Sequence, residues 1–384
     1  MGRKLTVMKF YISVFLLIIF SCKEKNSTVF LEQANHENHQ AVSYATGFKI
    51  SKHNGFKVVK INNPWPDAKH EFTYILYTQD DKKPKNYPNA TFIKVPIQDI
   101  IVTSTTDIPI LELLEKESTL VGFPNTNYIS SERTRSLVET DNIIELGSER
   151  SINTELVLEL DPDVVVGFSS SGNTKAYDLI QKTGIPVVMN GSWMEKHPLG
   201  RAEWIKFIAA FYEEDEKANL IFERIEKAYK DAVRIATNVE TSPTILAGNM
   251  FKDTWHVPGG KSYIAKLFSD ANTKYLWNDH TTSGSIALNF ESVLERGQNA
   301  DFWIGSGNSE TFSELYKENN RYQLFDAFKN KKVYSATLKT GKTGGMMYYE
   351  LGPMRPDLIL KDIIKIAHPQ LLPTYELYFF KNLL

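Results

Sequence analysis

Asn153-Thr154-Glu155-Leu156-Val157-Leu158-Glu159-Leu160-Asp161-Pro162-Asp163-Val164-Val165-Val166-Gly167 joins a helical pattern, a proline and a run of valines. Residues 153–160 read as a short helix. Proline disfavours the helical conformation in the residue before it, so the Leu-Asp-Pro-Asp junction ends that helix. The valines that follow show no polar alternation, the pattern of a strand covered on both faces. Helix, stop and doubly covered strand together imply a parallel sheet with helices on its faces.

The same rhythm holds on either side. Short apolar, β-branched runs at 72–77, 92–95, 100–103, 120–123, 164–168 and 186–189 read as strands, with helical patterns at 109–115, 131–138, 153–160 and 174–183. The second half repeats it, with strands at 244–247, 302–304 and 333–336 and helices at 262–268, 290–296, 323–329 and 356–367. Segment 47–87 is less regular and reads as hairpin-like strands packed against the first lobe. Between the halves, Ala218, Ile221, Phe222, Ile225, Ala228, Tyr229, Ala232 and Ile235 recur at steps of three and four, opposite Glu and Lys. A helix of some 20 residues spans about 30 Å, enough to bridge two lobes. The expected fold is therefore α/β: two Rossmann-like lobes, each a largely parallel sheet with flanking helices, joined by a long inter-lobe helix. Such a stiff connection limits how far the lobes open.

At the amino terminus, Arg3, Lys4 and Lys9 accompany an apolar run over 10–20, too short to cross a bilayer as a helix. This is a signal-peptide pattern. Cys22, the single cysteine, ends the run behind Ser21, with Ile19 three residues before it; this resembles a bacterial lipobox, from which Phe20 departs. The alternative is a signal peptide with an incidental cysteine. Residues 23–40 are polar and read as a tether. The expected division is 1–21 signal peptide, 22–42 lipidated tether, 43–197 N-terminal lobe, 198–238 inter-lobe helices and 239–384 C-terminal lobe. The expected location is the periplasmic face of the cell envelope, as a monomer held to a membrane by lipid on Cys22.

A net charge of -2, with Lys and Arg spread along the chain, argues against nucleic-acid binding. Gly341-Lys342-Thr343 resembles the end of a phosphate-binding loop, but Ala336 stands where the first glycine is needed. Gly167-Phe168-Ser169-Ser170-Ser171-Gly172 resembles a nucleophile elbow with its second glycine one place late, and no histidine and acid follow in the expected order. His36 and His39 have a spacing that could bind a metal but read as part of the solvated tether, and His53, His70, His197, His256, His280 and His368 show no ligand spacing. No metal or cofactor is expected, and an enzyme such as a periplasmic α/β hydrolase is the weaker alternative.

Two matched segments carry a family resemblance. Asn153-Thr154-Glu155, a helix, then Pro162-Asp163 and the valine strand is repeated in kind by Leu288-Asn289-Phe290-Glu291-Ser292-Val293-Leu294 followed by Ala300-Asp301-Phe302-Trp303-Ile304. With Pro198-Leu199-Gly200-Arg201-Ala202-Glu203-Trp204 and the carboxyl-terminal Arg355-Pro356-Asp357, the chain resembles the periplasmic substrate-binding lipoproteins of ABC importers for ferric siderophores, haem and cobalamin, the class with a helical backbone between lobes. The resemblance implies a carrier that captures an iron chelate (ferric siderophore or haem) or cobalamin in an inter-lobe cleft. It also implies delivery to a membrane permease with its ATPase, docked through Glu155 and Glu291. Both acids also sit where a first-turn carboxylate is favoured by the helix field alone. A surface-exposed chelate-binding lipoprotein without a permease is the other reading.

Aromatic residues make up 12% of the chain, so some are expected to line the cleft. Loops at the strand ends supply Thr105, Thr106, Tyr128, Phe168 and Trp193 from the first lobe, and Trp255, His256, Trp277, Tyr348 and Tyr349 from the second. Each aromatic suits a core as well as a cleft. His256 has the chemistry to ligate a haem iron or corrin cobalt, or to serve as a structural histidine. The cleft loops carry few cations, with Arg133, Arg135 and Lys342 the ones within reach of them, which weighs slightly against highly charged siderophores.

Overall fold

The computed structural model describes residues 38–68, 70–148 and 151–384; the expected signal peptide, Cys22 and most of the expected tether lie outside them. In the first lobe, Val187–Met189, Val164–Gly167, Ile100–Val102, Leu120–Phe123 and Ile144–Glu145 lie side by side in that order, all parallel. Alternation along these strands sends side chains to opposite faces. Ile100, Val102, Val164 and Val166 join the main apolar core, whereas Ile101 and Val165 join a second core with Val157, Tyr177 and Ile180. The valine strand is covered on both faces because its neighbours' helices lie on both.

The second lobe orders Lys274–Tyr275, Thr244–Ala247, Phe302–Ile304 and Val333–Ser335 in parallel, closed by antiparallel Lys381–Asn382. A short antiparallel sheet of Asn249–Phe251, Thr254–Pro258 and Ser285–Leu288 leans on it. The helix Asp215–Ala236 has 22 residues and buries Ala218, Ile221, Phe222, Ile225, Tyr229 and Ala232, the stripe read from the sequence. Ahead of it, Ile205–Tyr212 is buried throughout and ends at Glu213 in the left-handed region, φ 59°. One core runs through both lobes and these helices, from Phe48 through Phe207 to Ile364.

Phe72–Tyr77 and Thr91–Lys94 do not extend the first lobe's parallel sheet. They pair with each other and with Phe56–Ile61, Phe48–His53 and Asn38–His39 in a separate five-stranded sheet, antiparallel except for its last pair. Two buried carboxylates seat this sheet on the helices. Glu203 accepts the backbone N–H of Ser43 at 2.9 Å, Tyr44 at 2.7 Å and Ala45 at 2.9 Å, and Glu195 accepts those of Thr46 and Gly47, each at 2.8 Å. Buried carboxylates are tolerated when backbone donors and a cation satisfy them; Lys206 supplies the cation to Glu203 at 2.8 Å.

Candidate functional site: an inter-lobe cavity

In an open α/β sheet, ligands gather where neighbouring strands send their connections in opposite directions, beyond the strands' carboxyl ends. In the second lobe that point lies between Thr244–Ala247 and Phe302–Ile304. A cavity of about 640 Å³ opens there, bounded by Gly248 and Asn249 after one strand and Gly305 and Gly307 after the other. Gly248 has φ +80°, and a Cβ there would lie 1.9 Å from the His256 carbonyl oxygen, so only glycine fits. The opposite wall is Trp193, Met194, Glu195 and Arg201, with Pro66 from the added sheet.

Arg201 stands on the helix Pro198–Glu203, whose start is fixed by proline and by His197 Nδ1 accepting the Leu199 N–H at 3.1 Å. Its guanidinium donates to the carbonyl oxygens of Trp193 at 2.5 Å and Glu195 at 3.4 Å, and lies 3.6 Å over the Tyr263 ring. Burial lowers the guanidinium pKa from its usual value, but Tyr263, Tyr348 and Glu195 oppose that, and arginine stays charged. Among the described residues, Arg201 is the Lys or Arg in this lining. Burial first, then Tyr263 and Tyr349, push the Tyr348 phenol well above its usual pKa, so it remains a neutral hydrogen-bonding group. Phe380 is set by Asp362, which accepts the backbone N–H groups of Tyr378, Phe379 and Phe380 at 2.8, 2.7 and 3.1 Å.

The expected ligand residues separate by their place in an element. Trp193, His256, Tyr348 and Tyr349 line the cavity. Phe168 lies behind Trp193, ring centroids 5.9 Å apart and 70° between planes. On Thr254–Pro258, side chains alternate, so His256 and Pro258 face the cavity while Trp255 and Val257 turn into the core. Trp255 is fully buried against Trp303, Tyr322 and Phe325. Trp277 is also buried, beside Tyr275 and under Arg296. Tyr128 is 65% exposed on the turn Thr126–Tyr128, outside the lining.

Arg133, Arg135 and Lys342 are committed elsewhere: Arg133 to Glu117, Arg135 to the Ile129 and Thr126 carbonyls, and Lys342 to Glu139 at 2.6 Å. Arg201, Tyr263, Phe380 and Pro66 belong to the lining and were not among the sequence candidates. For Arg201 the available signal was the Pro198-Leu199-Gly200-Arg201 motif itself.

Tyr348 and Tyr349 sit on the helix Met347–Leu351, whose next residue clasps the other lobe. Glu350 is buried, and its two carboxylate oxygens accept the Ser130 N–H at 2.7 Å and the Ser131 N–H at 2.8 Å. Burial pushes its pKa up to about 7, against the opposing pull of those N–H groups. Nearby, Thr343 donates to the Asn127 carbonyl at 2.6 Å.

The two acids of the repeated motif occupy equivalent positions. Asn153 caps Thr154–Leu160 by accepting the Glu155 N–H at 3.1 Å, and Asn289 caps Phe290–Gly297 by accepting the Ser292 N–H at 2.7 Å. Each glutamate is the second helical residue, exposed, on a helix that runs back into its lobe's sheet. Glu155 is exposed, and Glu291 pairs with Arg321 at 3.0 Å. Among the described residues no helix is long and apolar enough to cross a membrane, and no three metal-ligating side chains gather.

The chain is 27% identical over 374 residues to an uncharacterized lipoprotein of Methanocaldococcus jannaschii, covering 93% of this chain and 86% of the relative. A second uncharacterized lipoprotein of that organism is 26% identical, over 96% of each. Among solved structures, Helicobacter pylori CeuE in its Ni-His complex aligns with TM-score 0.58 at 20% identity, covering 83% of this chain and 91% of that one. The periplasmic haem-binding protein HutB of Vibrio cholerae aligns with TM-score 0.54 at 19% identity, covering 68% and 99%. At those identities the structural likeness speaks for the fold. The family profile described as periplasmic binding protein matches residues 100–339, both lobes and the helices between them, and the chain belongs to that family.

Proposed function

We propose that this protein is the substrate-binding component of an ABC importer, taking an iron chelate (ferric siderophore or haem) or cobalamin into the inter-lobe cavity and handing it to a membrane permease. The observation that carries this reading is the cavity at the second lobe's strand-order reversal, walled by aromatic side chains around the cation Arg201. A volume of about 640 Å³ suits a ligand of drug size or somewhat larger. Tyrosine and tryptophan offer broad, rigid contact to a partly apolar chelate, and Arg201 offers a charged donor to its anionic groups. Glu155 and Glu291, one per lobe on equivalent helix starts, are the acids proposed to dock on cations of the permease. Exposed charges of this kind steer encounter more than they add affinity. Cys22 is the proposed lipid anchor, in keeping with the lipoprotein names of the relatives.

Transport assayed with a candidate ABC permease tests the assignment. Reversing both charges, Glu155→Lys with Glu291→Lys, is expected to abolish uptake while the purified protein binds ligand as before. Uptake that survives the double reversal rules the docking role out and leaves the surface chelate-binding lipoprotein as the reading.

A further inference from the structure

The five-stranded amino-terminal sheet lies ahead of the family match, which begins at residue 100. One of its connections, Pro64-Trp65-Pro66 between Phe56–Ile61 and Phe72–Tyr77, reaches the cavity. Pro66 is part of the lining. The Pro64 carbonyl accepts the indole N–H of Trp193 at 3.0 Å. Two glycines make room for the corner: a Cβ on Gly191 would lie 2.8 Å from Pro64 Cα, and one on Gly172, at φ +75°, would lie 2.7 Å from Trp65 Nε1. Trp65 itself packs edge-on to Phe72, 5.5 Å between centroids.

Trp193 is therefore held from three directions. Its N–H goes to Pro64, its ring meets Phe168, and its carbonyl takes a proton donor from Arg201. Prolines fix the backbone of the corner, and a wall whose rotamers are set before binding loses less entropy on meeting ligand. We propose that the Pro64–Pro66 corner is a specificity element of the cavity, acting through Trp193 to favour ligands with a broad, rigid apolar face over compact polar chelates. Pro66 touches the cavity; Trp65 and Pro64 act as positioning residues. The proposal rests on the carrier reading of this cavity and adds to it the origin of selectivity.

The test uses the mature protein, its Trp65→Ala and Pro66→Gly variants, and three probes: haemin, cyanocobalamin and a ferric trihydroxamate. Each variant is expected to lose about tenfold or more in affinity for the macrocycle that the wild type binds, with less than about threefold change for the trihydroxamate. Equal losses for both ligand types, no loss, or a wild type that binds only the trihydroxamate would overturn the proposal. Hydrogen exchange supplies a readout independent of ligand: Trp65→Ala is expected to speed exchange at 168–172 and 191–195 while Asp215–Ala236 stays protected. If the wild type binds none of the probes, the carrier reading fails. Unchanged protection at those two segments then counts against the corner separately.

Discussion

The two lobes share a strand plan, yet their strand-order reversals have opposite fates. In the second lobe, the strands end in Gly248 and Gly305, both at positive φ, and the space beyond them is open cavity. In the first lobe, the equivalent point between Ile100–Val102 and Val164–Gly167 is filled. Thr103 Oγ1 lies 3.0 Å from the Tyr177 hydroxyl and accepts the Phe168 N–H at 2.8 Å. Asp107, fully buried four residues further on, accepts from Asn190 Nδ2 at 2.6 Å. Topology thus provides two candidate sites, and side chains decide that one becomes a cavity and the other a polar plug. The lobes also meet beyond the helical backbone, at the Glu350 clasp, so the cavity's tyrosines are placed by both.

Breaking the open side should have the largest effect. Gly248→Ala combines a disfavoured φ with a backbone clash and is expected to cost about 3 kcal/mol or more, read as a fall in the denaturant midpoint. Gly184→Ala in the first lobe, also at positive φ but with no atom within 4 Å of its Cβ, is expected to cost only about 1 kcal/mol. Similar losses at both would deny that close packing around the cavity rim is what demands glycine.

The plugged side should announce itself through pH. Burial, opposed by the Asn190 hydrogen bond, raises the Asp107 carboxyl to about 7. Its folded pKa lies above its unfolded value, so folding is favoured while the proton is held and stability falls as pH rises from about 4 to about 7. The loss is on the order of 3 kcal/mol, and Asp107→Asn should remove that share. Glu350, raised to about 7 by burial, adds a decline of the same sign that Asp107→Asn leaves in place. A variant whose stability falls over that range as steeply as the wild type would show that Asp107 ionises freely in the folded state.

The smallest effect concerns the paired acids. Arg321→Ala removes the ion pair that distinguishes Glu291 from Glu155. The pair is exposed, so thermal unfolding is expected to shift by no more than about 0.5 kcal/mol. A larger shift would give the Arg321 pair a structural share that Glu155 lacks.

Much of the fold was legible because its signals are local. The valine strand, the helix starts that carry Glu155 and Glu291, and the apolar stripe on Asp215–Ala236 are each written within one element. The sheet membership of Phe72–Tyr77 was not, since the same apolar run suits an antiparallel hairpin or a parallel strand. The site was legible in part for a related reason. Trp255 and His256 are neighbours on one strand, and alternation guarantees opposite faces without saying which face meets the cavity. Arg201 and Pro66 come from elements far apart in sequence from the second lobe's rim, and only the packing of the helices and the added sheet brings them to it.

Whether ligand enters the cavity around Arg201 is read by titrating the purified protein. Quenching of tryptophan fluorescence is followed with haemin, cyanocobalamin and ferric siderophores, in the wild type and in Arg201→Gln. Saturable binding of one of these ligand types is expected, weakened about tenfold or more by the substitution, as loss of a charged hydrogen-bond donor should do. Binding of the same strength in Arg201→Gln, or no binding of any of these ligands to the wild type, would contradict ligand entry around Arg201.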